Sequence, residues 1–341
     1  MSNQSNTTNN NSYTMNEQYW ISETQRIITM TILISLAIPS LICFLFTFYN
    51  IYKLRQRLIF NCINHHVILL ILIFDFLLIT SELPISLSYL AFGHVPTRKI
   101  CLFWIYWDYT LETASLFLTM YASIERYLLI FFKHSIKHHR IALHYIPMSI
   151  AGLYIPILYL YFIIFSPCAQ HQSNDLSAFV CGGGCFFSYV SVNTYDTIAD
   201  TMLPCFILLF FNLLIIIRVT IIKRKALKSA SLMKILRKNR RMILQLIGFS
   251  LMSLTAWMPW VVIIIAEDFY QPSFGNWFIT YILHYLPYVT TSATPLLALI
   301  GLPEIQRNLR MAKYQTKTNL KVTGRSSIQA TVPATIGNTQ F

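Results

Sequence analysis

Seven apolar stretches limit what this chain can fold into more than any other feature. They cover residues 27–52, 67–92, 101–132, 141–165, 197–222, 242–266 and 277–302. Each reaches the roughly 20 residues that a helix needs to cross a hydrocarbon layer about 30 Å thick. Backbone amides in lipid must find partners within their own segment, so stretches of this length read as helices. Barrel strands would be about half as long and would alternate apolar with polar residues. Hydrophobic residues make up 55% of the chain and charged residues 11%, less than half the roughly 25% usual in a soluble domain. Pro39, Pro84, Pro147, Pro156, Pro204, Pro259, Pro287 and Pro295 fall inside the stretches, which a bundle in lipid tolerates where a soluble helix would not. The reading is an all-α integral membrane protein, a seven-transmembrane helix bundle.

The basic residues give that bundle a direction. The net charge is +13. Lys53, Arg55 and Arg57 follow the first stretch, Lys133, Lys137 and Arg140 the third, and a dense run from Lys223 to Arg241 the fifth. The tail adds Arg307, Arg310, Lys313, Lys317, Lys321 and Arg325. The opposite side holds only Arg26, Arg98 and Lys99. By the positive-inside rule the tail is cytoplasmic and the N-terminus extracellular. The basic excess is therefore a topogenic signal that also meets anionic lipid or a cytoplasmic protein, and nucleic acid is not an expected partner. The expected location is the plasma membrane.

The expected organisation has four parts. Residues 1–26 form a disordered extracellular N-terminus, 27–302 the membrane domain, 303–314 an amphipathic eighth helix, and 315–341 a disordered cytoplasmic tail. The N-terminal segment is rich in Asn, Ser and Thr and carries sequons at Asn3, Asn6 and Asn10, glycosylation sites on the extracellular side. The first apolar stretch is too long for a cleavable signal and directs insertion itself.

Cys43, Cys62 and Cys205 lie in or beside apolar stretches and read as small buried residues. Cys101 opens the third stretch on the outer side, and Cys168, Cys181 and Cys185 lie in the long outer loop. In that oxidising compartment a bridge from Cys101 to the loop is expected. Cys185 is the first choice and Cys181 the alternative, with the remaining two closing a hairpin. Cys181 and Cys185 have no histidine at a ligand spacing, so no metal centre is expected there.

The third stretch runs from Cys101 to Glu125-Arg126-Tyr127. Asp75 is followed by Pro84, the fifth stretch holds Pro204, the sixth Trp257-Met258-Pro259, and the seventh Thr294-Pro295. Together these resemble the rhodopsin-like, class A G-protein-coupled receptors from about residue 27 to 314. The match departs in places. The seventh stretch reads Thr294-Pro295-Leu296-Leu297-Ala298 without the family's switch tyrosine, Asn212 stands for the fifth-stretch tyrosine, Ser253 for an aromatic, and the fourth stretch has no tryptophan. These departures keep an unsignalling decoy receptor as a rival.

The resemblance implies a ligand outside and a heterotrimeric G protein inside, with arrestin as a further partner. Glu125 would hold Arg126 at rest beside Tyr127, and Arg237, Arg240 and Arg241 would line the rim of the groove that opens. A sodium ion would sit at Asp75 and Ser115, with Thr290 and Thr294 replacing the family's asparagines. Asp108 falls where amine and opioid-type receptors hold an ammonium, and Tyr288 where that aspartate is hydrogen-bonded.

Acids inside a membrane are costly and read as functional by default. Glu82, Asp108, Glu112 and Asp200 lie in the outer halves of their stretches, and Asp196 stands at the outer edge of the fifth. The bland reading, that some of them are protonated or reach water at a helix end, covers Asp196 best and does not cover all five. Trp257, Trp260, Trp107, Tyr109 and Tyr281 offer faces for cation–π contact, although plain bundle packing explains any one of them alone. The expected ligand is cationic, with at least two positive charges: an Arg- or Lys-containing amidated neuropeptide, with a small biogenic amine as runner-up. A light sensor needs a lysine in the seventh stretch, and none lies between Arg241 and Lys313. A transporter would show inverted repeats and Gly-rich breaks, and an enzyme a nucleophile or metal set. Neither pattern stands out in the sequence, and a multi-span transporter stays as the more distant alternative.

Overall fold

The computed structural model describes residues 22–56, 65–132, 138–168, 175–225, 230–269 and 275–301. Seven helical elements follow the seven stretches. These are α1, Glu23–Lys53; α2, His66–Phe92; α3, Arg98–Phe131; α4, Ile141–Phe165; α5, from Val190–Tyr195 through Asp196–Met202 to Leu203–Lys225; and α6, Ala230–Phe269. α7 combines Asn276–Tyr281, Leu283–Tyr285 and Leu286–Gly301. Six of them are long and apolar enough to cross a membrane. α7 is broken at Ile282 (φ −128°), and Pro287 explains the tight turn beneath the break. Its ring removes the N–H that the Leu283 carbonyl would accept. α1 begins ahead of the apolar stretch, because Ser22 caps it by accepting the Gln25 amide.

Polarity sets the position of each helix. Of the six long apolar helices α3 has the lowest mean hydropathy, 1.2, and half of its most apolar segment is buried; α1 has 2.4 and only 17% of its segment is buried. The polar helix is shielded by the others, and the apolar one faces lipid. α3 packs on α2, α4, α5 and α6, while α7 closes the ring against α1, α2 and α6.

Three prolines reshape the helices locally. Widened π-helical turns at Leu78–Glu82, Ile141–Tyr145 and Asp196–Met202 end two residues before Pro84, Pro147 and Pro204. A proline ring clashes with the carbonyl four residues back, and the widened turn relieves that clash. Glu82, Asp196 and Asp200 all sit in these turns.

Candidate functional site

At the end that carries the disulfides, α3 to α7 enclose a cavity of about 470 Å³, a size suited to small ligands or one end of a larger one. Asp108, Glu112 and Asp196 line it, together with Tyr109, Tyr159, Trp257, Trp260 and His284. The lining contains no lysine or arginine among the described residues. Phe179, Val180, Gly182, Gly183 and Phe187 of the α4–α5 loop form its roof. At Gly183 (φ +85°) a Cβ would meet the Phe187 ring at 3.2 Å and the Tyr109 hydroxyl at 3.3 Å, so the chain passes there only as glycine.

Two disulfides hold the roof, Cys101–Cys181 and Cys168–Cys185. The first choice for Cys101, Cys185, is thereby corrected to the alternative, Cys181. The glycine run 182–184 separates the two loop cysteines. Cys181 is left buried beside the start of α3, and Cys185 reaches back to the end of α4.

Behind one wall lies a buried network that joins α2, α3 and α7. Glu82 Oε1 accepts from Trp104 Nε1 at 2.7 Å, Ser86 Oγ at 2.8 Å and the Tyr288 hydroxyl at 2.8 Å. Asp108 Oδ1 lies 3.4 Å from the same hydroxyl. Glu82 and Tyr288, expected to touch ligand, are therefore not cavity-lining residues. They support Asp108 from behind.

Asp196 and Asp200 share a face as their spacing predicts, but that face looks at α4. Asp196 accepts from Tyr159 at 2.8 Å and Asp200 from Tyr154 at 3.0 Å. Asp196 also lines the cavity, so it is not a carboxylate idling in water. Asp200 is fully buried between the helices and does not line the cavity, which corrects its expected ligand role. Glu112 is partly exposed and takes no hydrogen bond from any described residue.

Below the cavity is a chamber of about 30 Å³, room for a water-sized group. Glu112, Trp257 and Pro287 border both spaces. In the chamber Ser115 Oγ donates to Asp75 at 2.7 Å, and Thr119, Ser253, Thr290 and Thr294 complete its polar lining. This oxygen-rich set suits a small hard cation.

At the opposite end, Glu125 and Arg126 are buried. Glu125 Oε1 meets His144 Nδ1 on α4 at 2.5 Å, and His144 Nε2 meets His66 Nδ1 on α2 at 3.0 Å. The acid expected to hold its neighbour Arg126 thus has its hydrogen-bond partner on α4. Burial pushes the His65 imidazole down to about 4, with the nearby Arg126 guanidinium adding to the effect. The Tyr127 ring packs on Phe211 and lies under Arg218, whose guanidinium carbon is 5.2 Å away. Asn212 and Ser250 both reach Ser123 Oγ, at 3.4 and 3.3 Å, which ties α5 and α6 to α3. Sequence reasoning missed His144 and Ser250. Neither breaks an apolar pattern strongly enough to stand out.

Arg237, Arg240 and Arg241 lie on α6, but their side chains fall outside the described residues, as do Asn3, Asn6, Asn10, residues 303–314 and residues 315–341. The family model described as 7 transmembrane receptor (rhodopsin family) matches residues 60–297, more than half of the chain. Among curated proteins none matches it.

Proposed function

Because the chain belongs to the rhodopsin family of seven-transmembrane receptors, we propose that it binds an extracellular cationic ligand and activates a heterotrimeric G protein. The observation that carries this reading is the charge of the cavity. Three carboxylates line it, no lysine or arginine among the described residues of its lining offsets them, and tryptophan and tyrosine side chains stand beside them. An anionic or strongly apolar ligand would leave those carboxylates unpaired, at high cost. The roofed cavity favours one end of a peptide with Arg or Lys side chains, a neuropeptide by class. A biogenic amine is the second reading, favoured by the Tyr288 hydroxyl beside Asp108.

The protein acts in this account as a receptor at the plasma membrane, not as an enzyme. Its glycosylated N-terminus at Asn3, Asn6 and Asn10 lies outside, and arrestin joins at the basic side. A sodium ion fits at Asp75 and Ser115. Arg237, Arg240 and Arg241 rim the G-protein groove, with Arg126 and Tyr127 at its centre. The ligand acts by binding the open form more tightly than the closed one. The test is nucleotide exchange on a panel of G proteins by the full-length receptor in nanodiscs. A library of cationic peptides and amines is compared with versions whose amines are acetylated. Exchange driven by cationic members alone is expected; exchange driven equally by acetylated versions contradicts the reading.

A further inference from the structure

The three cavity carboxylates are not equivalent. Asp196 already accepts the Tyr159 hydroxyl at 2.8 Å. Asp108 faces Tyr288 and, through that phenol, Glu82. Glu112 alone of the three takes no hydrogen bond from a described residue, and it is the most open of them to the cavity. It also stands lowest, in the partition with Trp257 and Pro287 above a chamber of about 30 Å³. A charged tip that reaches Glu112 therefore stands at the cavity floor, beside a chamber with room only for a water-sized group.

We propose that Glu112 is the residue that selects the ligand's charged tip, and that the tip is a primary ammonium on a flexible chain, with a second cation held at Asp196. This inference rests on the cationic-ligand reading above and narrows it to a lysine-like group. An ammonium has three N–H donors around one small nitrogen. Glu112 supplies a carboxylate that takes no hydrogen bond from a described residue, and Trp257, which lines the same floor, offers an aromatic ring for cation–π attraction. A primary ammonium is close to water in size and suits the chamber of about 30 Å³ beyond Glu112, whereas a guanidinium or a trimethylated ammonium is too large for it. Asp108, held from behind by Tyr288, shapes the field around the tip and is the secondary partner.

The test uses purified full-length receptor and reads its unfolding midpoint against concentration of lysinamide, Nε-acetyl-lysinamide and Nε-trimethyl-lysinamide. Lysinamide is expected to raise the midpoint, and the acetylated and trimethylated forms to require at least about tenfold higher concentration, as expected when a buried charge partner is lost or blocked. Glu112→Gln is nearly isosteric and removes no hydrogen bond from the protein. It is expected to weaken lysinamide at least about tenfold more than Asp108→Asn does, and Glu112→Asp to recover part of the loss. The inference is overturned if lysinamide leaves the midpoint unmoved, if the trimethylated form works as well, or if Asp108→Asn is the more damaging change. Should cationic ligands still drive nucleotide exchange in any of those cases, only the choice of tip and residue fails, and the cationic-ligand reading stands.

Discussion

Glu82 shows how a single buried carboxylate is kept in a membrane. It has no solvent contact and takes three donors from α2, α3 and α7 on one oxygen. Tyr288→Phe removes the donor from α7 and leaves two buried carboxyl groups short of a partner. It should destabilise the protein by about 1–3 kcal/mol, read as a lower unfolding midpoint in detergent. His144 makes a similar case at the other end. His144→Ala removes the hydrogen-bond partner of Glu125, 1% exposed, at a cost of about 1–3 kcal/mol. Adding Glu125→Gln should recover part of that loss, and a strictly additive double mutant would show that the pair is not coupled. The acids themselves were legible in the sequence, because each interrupts an apolar stretch. Their partners were not. Tyr288 lies 206 positions from Glu82, and no helical period links residues on different helices. The pairing of Cys101 was open for the same reason, since a choice between two loop cysteines depends on how the loop folds back.

The helices were legible as elements, because length and hydropathy alone demand them in lipid. Their internal distortions were not. A proline in an apolar stretch announces a weak point, but the response differs from one proline to the next. Before Pro84, Pro147 and Pro204 the backbone widens; around Pro287 it tightens and breaks. Pro147 shows the consequence most clearly. It leaves the Leu143 carbonyl without its helical donor, and Tyr121 on α3 supplies one at 3.0 Å. Tyr121→Phe should therefore cost about 1–2 kcal/mol in the native chain. It should cost less in Pro147→Ala, where a helical N–H is restored, and equal costs in both backgrounds would refute the link. The contact of Ser123 with Ser250 on α6 and Asn212 on α5 ties the helices that must separate if the groove beside Arg126 is to open. Ser250→Ala removes one strand of that tie. Unliganded nucleotide exchange should rise roughly two- to fivefold, matching a hydrogen bond of about 0.5–1 kcal/mol. No change in basal exchange would show that the contact does not restrain α6.

At the scale of the whole molecule, α3 carries the account. Of the six long apolar helices it is the least apolar and the most enclosed. It brings Asp108 and Glu112 to one cavity, Ser115 to the chamber below, and Glu125 and Arg126 to the far end. A signal that begins at the cavity floor has a continuous structural path along one helix, with α6 and α7 packed beside it. The central claim is that the negative charge of the outer cavity is what the ligand recognises. The most direct test is the concentration dependence of nucleotide exchange driven by a cationic agonist. It compares the native receptor with the triple variant Asp108→Asn, Glu112→Gln, Asp196→Asn at equal surface expression. The account predicts that the triple variant needs at least about a hundredfold more agonist, while basal exchange persists. An unchanged concentration dependence in the triple variant would contradict it.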